Sequence, residues 1–77
     1  MTTLAPSLTP TEQRLLAFFE ERRGRTLAAR LIYEEVWGVP AGYGTWRSLL
    51  KVYISRLRRK AQVRIKAERN FGYRLQA

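Results

Sequence analysis

Residues 46–61 read Trp-Arg-Ser-Leu-Leu-Lys-Val-Tyr-Ile-Ser-Arg-Leu-Arg-Arg-Lys-Ala. Wound as a helix at about 100° per residue, this stretch gathers Leu50, Tyr53, Ile54, Leu57 and Ala61 within about 60° of one direction, with Trp46 at the edge. That side is a core face. The opposite side carries Ser48, Lys51, Val52, Ser55, Arg56 and Arg59, and Arg58 and Lys60 flank it. The pattern predicts a helix from Thr45 or Trp46 to Lys60. An ordinary solvated helix face interleaves Glu with Lys and gains from the i,i+4 pairs. This helix has six cations and no acid. Val52 stands almost opposite Leu50, in the middle of the polar face. It serves no core there, but on a helix lying in a DNA major groove it can meet a thymine methyl. A scattered surface hydrophobe is the simpler account of Val52 taken alone.

The charge of the rest of the chain sharpens this reading. Residues 1–40 hold Arg14, Arg22, Arg23, Arg25 and Arg30 against Glu12, Glu20, Glu21, Glu34 and Glu35, and so carry no net charge. Residues 41–77 have Glu68 as their one acid and carry the whole formal charge of +9. A one-sided positive field attracts polyanions, above all nucleic acid. The cations alternate with apolar residues at regular spacing, unlike a disordered basic tail.

Upstream, Thr9-Pro10-Thr11-Glu12 reads as a helix start. Thr9 caps, Pro10 takes the first helical position, and Glu12 reaches back in a capping box. Leu15, Leu16, Phe18 and Phe19 supply the apolar face. The helix is expected to stop near Arg23 with Gly24 as a left-handed terminator. Arg25-Thr26-Leu27 reads as a short extended link. A second helix is expected over about Ala29–Trp37, burying Ile32, Tyr33, Val36 and Trp37. Gly38, Pro40, Gly42 and Gly44 mark a loop. Downstream, Val63–Ala67 alternates at the strand period, Asn70-Phe71-Gly72 is turn-like, and Tyr73-Arg74-Leu75 alternates again. Phe18, Phe19, Trp37 and Tyr73 are expected in the core. For Trp46 and Tyr43, packing under the loop is the default. Glu34 and Glu35 read as a solvated face.

Composition excludes much. Seventy-seven residues make one small domain, which buries only roughly 60% of its unfolded surface. With no Cys and no His, there is no disulfide scaffold, Cys- or His-based metal site or His-based triad. The six glutamates show no paired catalytic spacing, so neither an enzyme nor a cofactor is expected. No apolar run reaches transmembrane length. No signal-peptide pattern opens the chain, and a cytoplasmic protein without membrane contact is expected.

Six blocks, Leu8–Glu12, Leu15-Leu16, Gly24-Arg25, Val36-Trp37-Gly38, Val52–Lys60 and Phe71–Leu75, together resemble the OmpR/PhoB-type winged helix of bacterial response regulators. The resemblance covers roughly residues 8–76. It implies an α+β winged helix-turn-helix of three helices plus a C-terminal β-hairpin wing, over residues 9–77. It implies that the third helix enters the major groove of double-stranded DNA and that the wing reaches the minor groove. Arg56 falls where the family reads a base, and Val52 where a small apolar side chain meets bases. Arg58 and Arg59 fall among phosphate-binding positions, and Arg69 on the wing-tip arginine. With Arg47, Ser48, Lys51 and Ser55 these make the expected DNA-binding set. The loop Gly38–Thr45 falls where some members touch RNA polymerase. Family members also pair in tandem on direct repeats.

Several positions depart from the pattern. Residues 1–8 leave room for a short lead or one strand where the family has a four-stranded sheet, and none of these 77 residues is expected to form a receiver domain. Lys51 and Tyr53 replace the usual aspartate and histidine of the third helix. Ser48 stands for an arginine, Ala67 for a phosphate-binding threonine, and Asn70 for the usual glycine of the wing turn. Ala28 replaces a Ser/Thr cap, a loss of about 1 kcal/mol. Two other readings stay open at this level. One is an adaptor gripping RNA polymerase or another protein. The other is a binder of structured RNA, although no sheet of stacking aromatics is evident.

Overall fold

The computed structural model describes residues 8–76. The lead or strand expected over residues 1–8 lies outside them except for Leu8, which packs against the core. The elements in chain order are α1 (Pro10–Glu20), β1 (Thr26–Ala28), α2 (Ala29–Trp37), α3 (Trp46–Ala61), β2 (Ile65–Glu68) and β3 (Gly72–Leu75). The fold is α+β, three helices packed on an antiparallel sheet of order β1-β3-β2. Among the described residues no helix is long and apolar enough to cross a membrane.

α1 starts as the sequence predicts. The Thr9 hydroxyl accepts from the Glu12 N–H at 3.2 Å, and Glu12 Oε1 accepts from the Thr9 N–H at 2.9 Å. Pro10 costs nothing here, because its missing N–H falls among the unpaired first-turn donors. Leu15 and Phe19, one turn apart, are fully buried. The helix ends at Glu20, three residues before the expected stop. Gly24 does adopt a left-handed φ of 84°, but its N–H donates to Leu75 O of β3 at 2.8 Å, not to a helical carbonyl. Sheet pairing therefore claims the chain first.

That pairing also corrects the reading of residues 25–27. The link is a strand. Thr26, Leu27 and Ala28 pair with Arg74, Tyr73 and Gly72, and β2 pairs with the other edge of β3. The wing is thus the edge strand β2 and the central strand β3 of a three-stranded sheet. Gly72 sits where β1 and β3 come closest, since a Cβ on it would lie 1.8 Å from the Leu27 carbonyl oxygen. α2 begins without a side-chain cap at Ala28, as expected. A substitute comes from the wing, whose Phe71 carbonyl accepts the Ala29 N–H at 3.0 Å. Gly38 closes α2 in the left-handed conformation.

The core is built from Leu15 and Phe19 of α1, Ile32 and Val36 of α2, Trp46, Leu50, Ile54 and Leu57 of α3, and Leu27, Ile65 and Leu75 of the sheet. The buried set of α3 matches the projected face, with Tyr53 and Ala61 half-buried at its margins. Phe18, Trp37 and Tyr73 pack partly buried against the core. Trp46 is buried as expected, but Tyr43 is fully exposed. The residue under the loop is Ala41, whose N–H is held by Glu34 Oε2 at 2.9 Å. Glu34 is therefore a loop anchor, not a purely solvated residue. Left-handed glycines on both sides of Tyr43, Gly42 and Gly44, turn the loop outward there.

Among the described residues one polar residue is completely buried, Glu12. Lys60 Nζ, from the far end of α3, lies 2.9 Å from Glu12 Oε1 and 3.2 Å from Oε2. Burial by itself would raise the Glu12 pKa. The Thr9 N–H, the Lys60 hydrogen bond and charge, and the Thr9 hydroxyl outweigh it, and the carboxyl titrates below the usual glutamate value. A carboxyl depressed in the folded state stabilises fully above its unfolded pKa and loses that contribution as pH falls through its folded value. Stability should therefore fall on acidification below the ordinary glutamate range. Glu12→Gln should cost about 1–3 kcal/mol at neutral pH by leaving Lys60 without its carboxylate. It should also flatten the acid limb. Melting temperatures of both proteins between neutral pH and pH about 3 check this; parallel curves would contradict it.

Candidate nucleic-acid interface

Burying one face of α3 dictates what the other face offers. With Leu50, Ile54 and Leu57 inward, Arg47, Ser48, Lys51, Val52, Ser55, Arg56, Arg58 and Arg59 are all exposed. Arg69, in the wing turn between β2 and β3, is exposed as well. The turn closes through Asn70, at a left-handed φ of 61°, a conformation that Asn tolerates better than most residues. A shallow groove joins the first turns of α3 to this turn, lined by Arg47, Lys51, Arg69, Asn70, Phe71 and Gly72 among others. The helix face and the wing tip thus form one continuous surface.

Its electrostatics are uneven in a useful way. Of the six cations of α3, Lys60 is neutralised by Glu12 from α1. Glu68, the sole acid of the second half, lies 3.2 Å from Arg74. Among the described residues no carboxylate forms an ion pair with Arg47, Lys51, Arg56, Arg58, Arg59 or Arg69. Glu68 itself lines the groove, but its carboxylate is held by Arg74, so the cations named above keep their charge without an ion-pair partner.

Two arginines do more than the sequence reading assigned them. Arg58 Nε donates to Ile65 O at 2.8 Å, bracing the edge of β2 against α3. The residue as a whole stays exposed. Arg47 lies over the Trp46 ring, 4.7 Å from its centroid. Two features escaped sequence reasoning. Phe71 is 55% exposed beside Arg69, although it reads as an ordinary turn residue. Arg58, Arg64 and Lys66 meet around one shallow groove at the base of the wing. The period-2 alternation puts Arg64 and Lys66 on one face, but only folding brings Arg58 beside them. Among the described residues no group of three or more His, Cys, Asp or Glu could hold a metal ion.

Known proteins share this fold. Residues 4–75 match the family described as "Transcriptional regulatory protein, C terminal". The chain belongs to this family. It is the family of OmpR/PhoB-type winged-helix DNA-binding domains of transcription regulators. Its similarity to the transcriptional regulatory protein CseB of Streptomyces coelicolor is 42% identity over 71 residues, covering 91% of this chain and 30% of that protein. The transcriptional regulatory protein KdpE of Mycobacterium tuberculosis is 37% identical over 76 residues, covering 91% of this chain and 33% of that protein. The chain thus spans about a third of the length of these relatives. Among solved structures, the DNA-binding domain of Bacillus subtilis CssR superposes with a TM-score of 0.77 at 32% identity, covering 91% of this chain and 78% of that one. The winged-helix fold expected from the sequence is the fold observed, enlarged by β1.

Proposed function

We propose that this OmpR/PhoB-type domain binds double-stranded DNA sequence-specifically and serves bacterial transcription regulation in the cytoplasm, where the chromosome lies. The observation that carries this reading is the continuous exposed surface of α3 and the wing tip. Among the described residues its cations Arg47, Lys51, Arg56, Arg58, Arg59 and Arg69 form no ion pair, while Glu12 and Glu68 are taken by Lys60 and Arg74. In this reading α3 lies in the major groove, which is wide enough for a helix and distinguishes all four base pairs. Arg56 reads a base, with Val52 and Ser55 beside it. Arg47, Ser48, Lys51, Arg58 and Arg59 hold the backbone, and Arg69 enters the adjacent minor groove, where narrow A·T-rich sequence concentrates negative potential. No step of this function requires a cofactor or catalysis.

Two finer roles belong to the same proposal. The loop Gly38–Thr45 contacts RNA polymerase, supported by full exposure of Tyr43 and half-exposure of Val39. Two copies sit in tandem on direct repeats, as the family resemblance implies.

The deciding measurement is the salt dependence of duplex binding. Each phosphate contact contributes a slope of about −0.9 in log K against log salt, so roughly five contacts give about −4.5. A slope near zero would end the DNA reading and leave the protein-adaptor alternative. The assignment of roles has its own test. Arg56→Ala should cost about 1–3 kcal/mol on the preferred site and much less on random duplex, because a bidentate arginine–guanine contact is lost. Arg59→Ala should weaken both duplexes alike. Equal profiles for the two variants would contradict the roles.

A further inference from the structure

A continuous aromatic row runs through the seam between α2 and α3 and ends under the arginine that reads the base in the proposed function. Tyr33 stacks on Trp37 with ring centroids 4.9 Å apart and an interplanar angle of 14°. Trp37 meets Tyr53 edge-to-face at 5.2 Å. Tyr53 in turn lies beneath Arg56, whose guanidinium carbon is 5.5 Å from its ring centroid. Each contact has the geometry that aromatic quadrupoles favour, offset stack, T-shape, then cation over a face.

The order of the row has a consequence. Arg56 is on the exposed face and carries many rotamers, each of which must be given up when it binds a base edge. Tyr53 is one helical turn before it and half-buried, with its ring plane set by Trp37. A ring held in this way offers the guanidinium one seat. The aromatic row thus converts the rigidity of the core into a preferred pose for a surface side chain. Preorganisation of this kind raises affinity by reducing the ordering that binding requires.

We propose that Tyr53 is a positioning residue for base recognition, acting through Arg56 by holding its guanidinium over the ring, and that the row Tyr33–Trp37–Tyr53 is the support of that seat. The proposal rests on the reading of Arg56 as a base contact. The phenol hydroxyl has no part in it, so the ring face alone matters.

The test uses the duplex that the wild-type protein selects from a random pool, together with the same duplex altered at the base pair that Arg56→Ala ceases to discriminate. Tyr53→Phe should keep wild-type discrimination between the two. Tyr53→Leu should lose about two- to five-fold, the equivalent of an exposed cation–π contact. Tyr53→Leu should also weaken binding to the selected duplex itself, and in an Arg56→Ala background it should have no further effect on that affinity. In the free protein, the Arg56 side-chain protons should show an upfield ring-current shift that Tyr53→Leu abolishes. This NMR reading on the wild type does not depend on the variant's folding. A wild type that does not discriminate sequences overturns the DNA reading, and this proposal with it. A wild type that discriminates overturns this proposal alone if Arg56 lacks the ring-current shift, or if the Tyr53→Leu loss persists without Arg56.

Discussion

Replacing Leu57 with alanine is expected to destabilise the domain by about 2–5 kcal/mol, the range for a buried leucine truncated in a core that relaxes only partly. Leu57 is fully buried in α3, in one cluster with Leu15 and Phe19 of α1 and Ile65 and Leu75 of the sheet. No layer of the fold can collapse into the void without moving another. Small domains hold roughly 5–15 kcal/mol in total and this one sits at the low end of size, so a large part of the population should unfold at ambient temperature. Thermal or urea denaturation followed by circular dichroism measures it. DNA binding should fall with the folded fraction and recover at low temperature, because the groove-facing residues are untouched. An unchanged midpoint would mean that α3 is rotated and that its opposite face is misassigned as well.

The second large effect is expected at Gly72. Its Cβ would stand 1.8 Å from the Leu27 carbonyl oxygen and 2.7 Å from the Ala29 nitrogen, both backbone atoms. No rotamer change relieves such a clash, so Gly72→Ala must push β1 away from β3. The pairing of Ala28 with Gly72 and the Phe71 carbonyl's hydrogen bond to Ala29 should both be lost. Because α2 has no side-chain cap, that second loss leaves its first turn unsupported. The cost should exceed the about 1–3 kcal/mol of ordinary overpacking. Amide hydrogen exchange should show β1 and the start of α2 opening first. Native-like protection there would refute the close approach.

The helices of this protein are legible in its sequence because their determinants are local. The Thr9–Glu12 box fixes one start, Gly38 one end, and the 3.6-residue periodicity of residues 46–61 fixes which side of α3 is buried. Once Leu50, Ile54 and Leu57 turn inward, the exposure of Lys51, Val52, Ser55, Arg56 and Arg59 follows by geometry alone. The charge asymmetry needs no structure at all. For these reasons the candidate interface was largely readable before the chain was folded.

What only the tertiary structure decided depends on partners distant in sequence. Three residues of β1 carry too little pattern to announce a strand; they become one because β3 offers an unpaired edge, and the same edge ends α1 early by taking the Gly24 N–H. Glu12 reads as a cap, and only the packing of α1 against α3 delivers Lys60 to it and makes it a buried ion pair. Arg58 reads as a phosphate contact, and only the approach of β2 turns its Nε into a brace. Tyr43 reads as loop packing, but Ala41 fills that space. In each case the deciding energy comes from a hydrogen-bond donor, acceptor or charge that must be satisfied once water is excluded, and which partner satisfies it is set by the fold, not by neighbours along the chain.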